Sequence, residues 1–192
     1  MDVFEAITTR ASAAALTEPG PSDSQIAALL HAGACAPDHG RLRPWRFLVV
    51  RGQARDELGD LMAAATRARQ PDASEDMLER ERRKPLRAPV IVIVAVVLTS
   101  QSKIPEVEQM LSAGAAAQNI LLAAHGFGFG AIWRTGAPAY DPEVAKGLGL
   151  PESARIVGFL YIGSAVSSPV ARRPAAGANA LEWKSKSRDI EA

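Results

Sequence analysis

Val90–Leu98, Val-Ile-Val-Ile-Val-Ala-Val-Val-Leu, is a run of aliphatic residues with no polar alternation. Branching at Cβ favours extended backbone, and a strand apolar on both sides must be covered on both sides. The chain therefore has to place layers above and below a sheet that carries this run. Pro105–His125 can supply one layer. Glu106 and Glu108 follow Pro105, which suits a helix start. Past Gln109 the segment is dominated by small residues: Ser112, Ala113, Gly114, Ala115, Ala116 and Ala117. A helix that is apolar on most faces is buried. Its small side chains let another backbone come close, inside the subunit or across a dimer axis.

Local signals place the other elements. Asp2 with Glu5 predicts a helix over residues 3–9, and Ser22 with Gln25 predicts a second. In that second helix Ile26, Leu29, Leu30 and Gly33 keep helical spacing, and Pro37 stops it. Trp45–Arg51 alternates as a strand does, with Trp45, Phe47 and Val49 on one face. Leu58, Leu61, Met62 and Ala65 return to helical spacing, and a charged helix spans Ser74–Lys84 before Pro85. Gly126, Gly128 and Gly130 close the long helix, and Ala131–Arg134 reads as a short strand. Asp141-Pro142 opens a brief helix that Gly147 ends, and Ile156–Ile162 is the last strand. This irregular alternation favours an α+β fold, a central mixed sheet flanked by helices, over a doubly wound one. One domain is expected over residues 1–165. Residues 166–192, rich in Ser, Pro, Ala, Gly and basic side chains, read as a partly flexible C-terminal arm.

Several functions are excluded by what the chain lacks. A net charge of +1 over 192 residues gives no field for general nucleic-acid binding. The lone cysteine, Cys35, excludes an internal disulfide and a cysteine zinc cage, and fits a reducing compartment. Met1–Glu5 has no basic or apolar leader character, and the ten-residue apolar run Pro89–Leu98 is too short to cross a bilayer. A cytoplasmic protein is expected, with no membrane or nucleic-acid partner. His31, His39 and His125 form no metal-ligand pair. His31 reads as a surface residue, and His125 as a partner of a helix C-terminal dipole. The glycine cluster follows a helix and precedes a strand, the reverse of a dinucleotide-fold fingerprint. There is no G-x-S-x-G, and Cys35, near a helix end, reads as a packing residue. The basic run Arg80, Arg82, Arg83, Lys84 and Arg87, interleaved with Glu79 and Glu81, reads as a solvated helix face.

What remains is a set of separated cationic points. The loop Ala36–Phe47 holds Asp38, His39, Arg41, Arg43 and Arg46, with Pro37 and Pro44 restricting its backbone. The others are Arg10 with Ser12, Trp133-Arg134-Thr135, and Arg172-Arg173. Arginine forks with a hydroxyl suit a phosphate monoester. A rigid cationic loop beside a sheet suits a planar ligand that becomes anionic on reduction. No acid–base pair stands out, so a cofactor is expected to carry the chemistry.

Arg10-Ala11-Ser12, Ala36-Pro37-Asp38-His39 with Arg43-Pro44-Trp45-Arg46-Phe47, Gly126–Arg134-Thr135-Gly136 and Gly158–Gly163 together resemble the FMN-dependent nitroreductase family, within it the small YdjA-like branch. The likeness runs in order from Met1 to about Gly163. It implies a homodimer of α+β subunits with FMN at the subunit interface. It also implies a ping-pong reaction in which NADH or NADPH gives hydride to the flavin and a nitroaromatic, quinone-like or related small acceptor takes it. By the same resemblance Arg10, Ala11 and Ser12 would hold the FMN phosphate and ribityl chain. Cys35 and His39 would face the cofactor in the site shared with the partner, and Trp133, Arg134 and Thr135 would complete the pocket. Ala123, Ala124, His125, Gly126, Phe127 and Gly128 match the segment assigned to the nicotinamide cofactor. No side chain is assigned as catalytic, because the flavin carries the hydride, and no metal is implied. The chain departs from the family pattern at Ala11, where a second arginine is common, and Arg172-Arg173 would restore that charge. Arg41, Arg43 and Cys35 also depart from it. Two rivals stand beside this reading: a flavin dehalogenase or enoate reductase on the same scaffold, for which residues 70–87 would be the lid, and an FMN storage protein.

Overall fold

The structure, a computed structural model, describes residues 1–167 together with Pro169 and Trp183. The predicted arm, with Arg172 and Arg173, lies outside the described residues apart from Val166, Ser167, Pro169 and Trp183. Five strands form the sheet: β1 (Leu16–Thr17), β2 (Trp45–Arg51), β3 (Val90–Val97), β4 (Gly130–Arg134) and β5 (Ala154–Ala165). β3 lies between β2 and β5, while β4 and β1 both pair with β5. All four ladders are antiparallel. The expected mixed sheet is thus corrected, its parallel character confined to one isolated bridge between Ser12 and Ala131. Two of the pairs, β2 with β3 and β4 with β5, follow one another in the chain through helical connections and still pair antiparallel.

The helices are α1 (Val3–Thr9), α2 (Asp23–Ala34), α3 (Ala54–Arg69), α4 (Glu75–Arg83), α5 (Glu106–Gly126), α6 (Ala137–Tyr140) and α7 (Pro142–Gly147). Their starts are local chemistry. The Asp2 carboxylate accepts from the Glu5 amide at 2.8 Å. Ser22 and Gln25 form a complete capping box, and Ser74 accepts from Met77. Two layers cover the sheet, as the apolar run demanded. On one face Val90, Val92, Val94, Leu160 and Ile162 meet Ile26 and Leu29 of α2 and Ala117, Ile120, Leu121 and Ala124 of α5. On the other, Ile91, Ile93, Phe159 and Tyr161 meet Leu58, Met62 and Ala65 of α3, Ala139 of α6 and Val144 of α7. β2 is covered on both faces as well, because Leu48 and Val50 join the second cluster while Phe47 and Val49 join the first. The last strand is longer than its periodicity predicted and runs on to Ala165.

Two close approaches fix how the layers sit. A Cβ on Gly33 of α2 would stand 2.9 Å from Ile120 of α5, which brings these helices together. A Cβ on Gly59 of α3 would stand 2.3 Å from the Arg82 carbonyl oxygen of α4. Gly59→Ala is therefore expected to push α4 away and to destabilise the fold by about 1–3 kcal/mol, in the manner of an overpacked core. Urea denaturation reads this directly, and an unchanged midpoint would show that the helices do not meet there. Residues 70–87, the lid of the rival reading, are held in this layer, with Leu78 only 3% exposed.

Candidate functional site

β4 and β5 carry the site. In the ladder Arg134 faces Phe159 and Ile132 faces Tyr161, so Arg134, Phe159 and Tyr161 lie on the α3 face of the sheet. Beneath them is a cavity of about 290 Å³ lined by Met62, Lys84, Arg87, Arg134, Thr135, Gly136, Pro138, Phe159 and Tyr161. Lys84 and Arg87 come from a short 3-10 turn, Lys84–Arg87, that follows α4 directly. With three residues per turn, positions three apart lie on one side. These two correct the reading of the basic run as wholly solvated. Arg82, by contrast, faces Asp60 and Glu79 on the outer surface. The visible signal was the pair Pro85 and Pro89, which forces the chain out of a regular helix just where both cations sit.

The charges in the cavity are unequal. Both Glu81 carboxylate oxygens accept from the Lys84 ammonium. Arg87 and Arg134 have no carboxylate partner among the described residues, so their charge is available to a ligand. Burial pushes the Tyr161 phenol above its ordinary range; the nearby Arg87 and Arg134 pull it back and Glu81 adds to the rise. The phenol is neutral at physiological pH. Gly136 has φ 72, the left-handed region that glycine tolerates, and turns the chain from β4 into α6 at the cavity rim.

The segment Arg10–Ser12 reaches the same strand from its free edge. Ser12 bridges Ala131, and the Ala13 amide donates to the Ala131 carbonyl at 3.1 Å. The Arg10 amide closes α1 on Ala6. Arg10, Ala11 and Ser12 thus border the strand that ends in Trp133 and Arg134, with Thr135 just beyond it.

Trp133 is on the opposite face from Arg134. Its indole packs on the first core cluster and donates to the Val157 carbonyl at 3.2 Å. The pairing of β3 with β5 steps from Val94–Gly158 to Ala95–Ile156, which leaves Val157 as an extra residue in β5. A Cβ on Gly158 would stand 2.0 Å from the Trp133 Nε1, so only glycine leaves room for the ring. The bulge and the glycine anchor the strand whose next side chain is Arg134. The side chain of Trp133 serves the scaffold.

The remaining predicted residues lie at the other end of α2 and on α5. Cys35 is the exposed C-cap of α2, with its sulfur 3.9 Å from Nε2 of His31, so the reading of it as a packing residue is corrected. It sits one step past the buried stripe of its helix. His31 is exposed, as expected. Nδ1 of His39 lies 2.5 Å from a Glu108 carboxylate oxygen, which ties the cationic loop to the first turn of α5. Ser112 donates to the Pro37 carbonyl at the start of this loop, and Asn119 donates to the Ala32 carbonyl of α2, so α5 holds both the loop and the helix before it. Arg41 and Arg43 have φ 55 and 48, a strained backbone for arginine. The Arg43 amide donates to Asp38 at 2.7 Å, and Arg46 donates to the Arg43 and Trp45 carbonyls. None of these loop residues lines the cavity of its own chain.

The Ala123–Gly128 stretch is the last turn of α5 and its cap. Ala124 is fully buried, whereas Gly126, Phe127 and Gly128 are exposed. His125 Nε2 lies 2.8 Å from Thr9 Oγ1, which joins the end of α5 to the end of α1 just before Arg10. That contact gives His125 a specific partner beyond the helix dipole. Among the described residues no cluster of potential metal ligands exists, and no helix is long and apolar enough to cross a membrane.

A model of the Nitroreductase family matches residues 7–164, from the end of α1 to the end of β5. The chain is 38% identical over 164 residues to the Escherichia coli (strain K12) protein named "Putative NAD(P)H nitroreductase YdjA", covering 85% of this chain and 88% of that one. It is 33% identical over 165 residues to a Haemophilus influenzae protein named "Putative NAD(P)H nitroreductase", over 85% of this chain and 89% of that one. Among solved structures, a nitroreductase-like family protein from Bacillus cereus superposes with a TM-score of 0.81 at 24% identity, covering 97% of both chains. A Desulfovibrio desulfuricans protein described as "a putative nitroreductase in complex with fmn" superposes with a TM-score of 0.74 at 28% identity, over 97% of this chain and 99% of that one. Matched from the end of its first helix to the end of its last strand, the chain belongs to the nitroreductase family.

Proposed function

We propose that this protein is an FMN-dependent oxidoreductase that takes reducing equivalents from NADH or NADPH and passes them, in a ping-pong cycle, to a nitroaromatic, quinone-like or related small acceptor. The observation that carries this reading is the pair Arg87 and Arg134, two guanidiniums without a carboxylate partner among the described residues, in a cavity walled by Met62, Pro138 and Phe159. A polar ring edge with carbonyl acceptors fits that donor set, and the 290 Å³ space suits part of a planar cofactor rather than a whole one. When bound, FMN supplies the atom that accepts hydride and later gives it up. The protein's share is electrostatic. Two fixed positive groups in a partly closed site favour negative charge on the ring edge, and so favour the reduced form. Met62, Pro138 and Phe159 give the cavity an apolar wall beside them. Arg10 and Ser12, on the far edge of β4, would take the phosphate through a charged fork and a hydroxyl.

A second copy of the chain completes this reading. α1 buries none of its residues, and it leaves Val3 and Phe4 exposed; Val107 and Leu111 on the outer side of α5 are exposed too. Apolar positions of this size left open on two contacting helices support a homodimer. The dimer would bring Cys35 and His39, absent from their own chain's cavity, to the partner's cofactor. The unpaired, exposed Cys35 thiol supports a reducing, cytoplasmic location.

Titration of the full chain into FMN tests the proposal. FMN fluorescence is expected to change until one FMN is bound per chain, and the loaded protein is expected to sediment as a dimer. Unaltered FMN fluorescence at excess protein would overturn the reading, and a loaded monomer would overturn its dimeric part.

A further inference from the structure

Tyr161 lines the cavity and has no part in the chemistry above. The residue is 3% exposed and sits in the middle of the sheet, paired with Ile91 on one side and Ile132 on the other. Its ring belongs to the core, packed in the cluster with Met62 and Phe159. Its hydroxyl has no hydrogen-bond partner among the described residues. No sealed side-chain oxygen or nitrogen lacks a partner there, so the hydroxyl opens into the cavity that Tyr161 lines.

The wall around it decides what the phenolic hydrogen can meet. Lys84, Arg87 and Arg134 carry donors only, and Thr135 is the lining residue whose side-chain hydroxyl could accept. The Glu81 carboxylate takes the Lys84 ammonium on both oxygens and is not part of the cavity lining. Neither Thr135 nor Glu81 is hydrogen-bonded to the Tyr161 hydroxyl, so its hydrogen is available to whatever occupies the cavity. A ligand acceptor that meets this hydrogen exchanges solvent for a hydrogen bond in a less polar site, a modest net gain. Burial holds the phenol neutral, so the hydrogen is present to be donated.

We infer that Tyr161 donates a hydrogen bond to an acceptor on the polar edge of the bound flavin, a carbonyl oxygen or ring nitrogen, and so joins Arg87 and Arg134 in favouring the reduced cofactor. This rests on the reading of the cavity as the flavin site. A donor aimed at an edge that gains electron density on reduction binds the reduced ring more tightly than the oxidised one. Tyr161 thereby sets the potential at which the protein accepts and releases electrons, in addition to holding the ring.

Tyr161→Phe removes the hydroxyl and keeps the ring that packs in the core. FMN fluorescence titration of this variant is expected to show an affinity roughly three- to tenfold weaker than the parent. Spectroelectrochemistry is expected to show a midpoint potential more negative by up to about 30 mV, the equivalent of a tenfold loss of preference for the reduced form in a two-electron couple. Infrared spectra of the bound FMN are expected to show a carbonyl stretch at higher frequency in the variant. The only other tyrosine, Tyr140, is 78% exposed, and Tyr140→Phe is expected to leave all three unchanged.

Should Tyr161→Phe fail to fold, 3-fluorotyrosine incorporated into Tyr140→Phe protein gives a second test. The fluorinated phenol is a stronger donor, and the potential is expected to move positive. Parent protein that binds FMN while Tyr161→Phe matches it in affinity, potential and carbonyl frequency would overturn this inference alone. So would a fluorinated protein with an unshifted potential. Parent protein that binds no FMN would overturn the site reading, and this inference with it.

Discussion

Arg134→Gln is expected to weaken FMN binding by about 1.5–3 kcal/mol, the range for hydrogen bonds to charged groups, or roughly tenfold to a hundredfold in Kd. The size follows from the surroundings. Arg134 has no carboxylate partner among the described residues, so removing it relieves no local ion pair and exposes no orphaned acid. Its strand is pinned by the Trp133–Val157 bond on the opposite face, so the backbone is expected to stay in place. Arg134→Lys keeps the charge without the planar fork and is expected to fall between the two. Fluorescence titration with FMN checks the series. Equal affinities in all three proteins would remove Arg134 from the site.

Phe159 and Leu160 make a paired test of which sheet face serves the cofactor. Both are essentially fully buried, at 1% and 0% exposure, on adjacent positions of β5. Phe159→Ala is expected to cost about 3–5 kcal/mol of stability and Leu160→Ala about 2–5 kcal/mol, measured by urea denaturation of the FMN-free proteins. Only Phe159 lines the cavity; Leu160 meets α2 and α5 on the other side of the sheet. Below the unfolding range, the FMN affinity of Phe159→Ala is expected to fall while that of Leu160→Ala stays near the parent value. A larger binding defect in Leu160→Ala would place the ligand on the wrong face.

The helices and the covered strand were legible because their causes are local. Asp2, Ser22 and Ser74 announce helix starts through side chains that reach only three residues, and Val90–Val97 declares burial on two faces by its lack of polar positions. Strand order was not legible. Antiparallel pairing of β5 with three other strands depends on contacts between segments far apart in the chain. The same is true of the cavity, which takes residues from α3, the turn after α4, the end of β4, α6 and β5. Lys84 and Arg87 looked like surface charges since their neighbours are charged, and it is the turn after α4 that places both along the cavity. Arg134 and Trp133 were both named from sequence, yet strand alternation sends adjacent side chains to opposite faces, so one enters the site and the other the core. Tyr161 was hidden inside an apolar strand motif. A tyrosine at a core position is a signal in its own right, because its hydroxyl must reach a partner or an opening.

Anaerobic mixing of the FMN-loaded protein with NADH, and separately with NADPH, tests the central claim most directly. The account predicts that at least one of the two bleaches the flavin absorbance at a rate that saturates with donor concentration, and that a quinone or nitroaromatic added afterwards restores it. FMN that stays oxidised with both donors would contradict it.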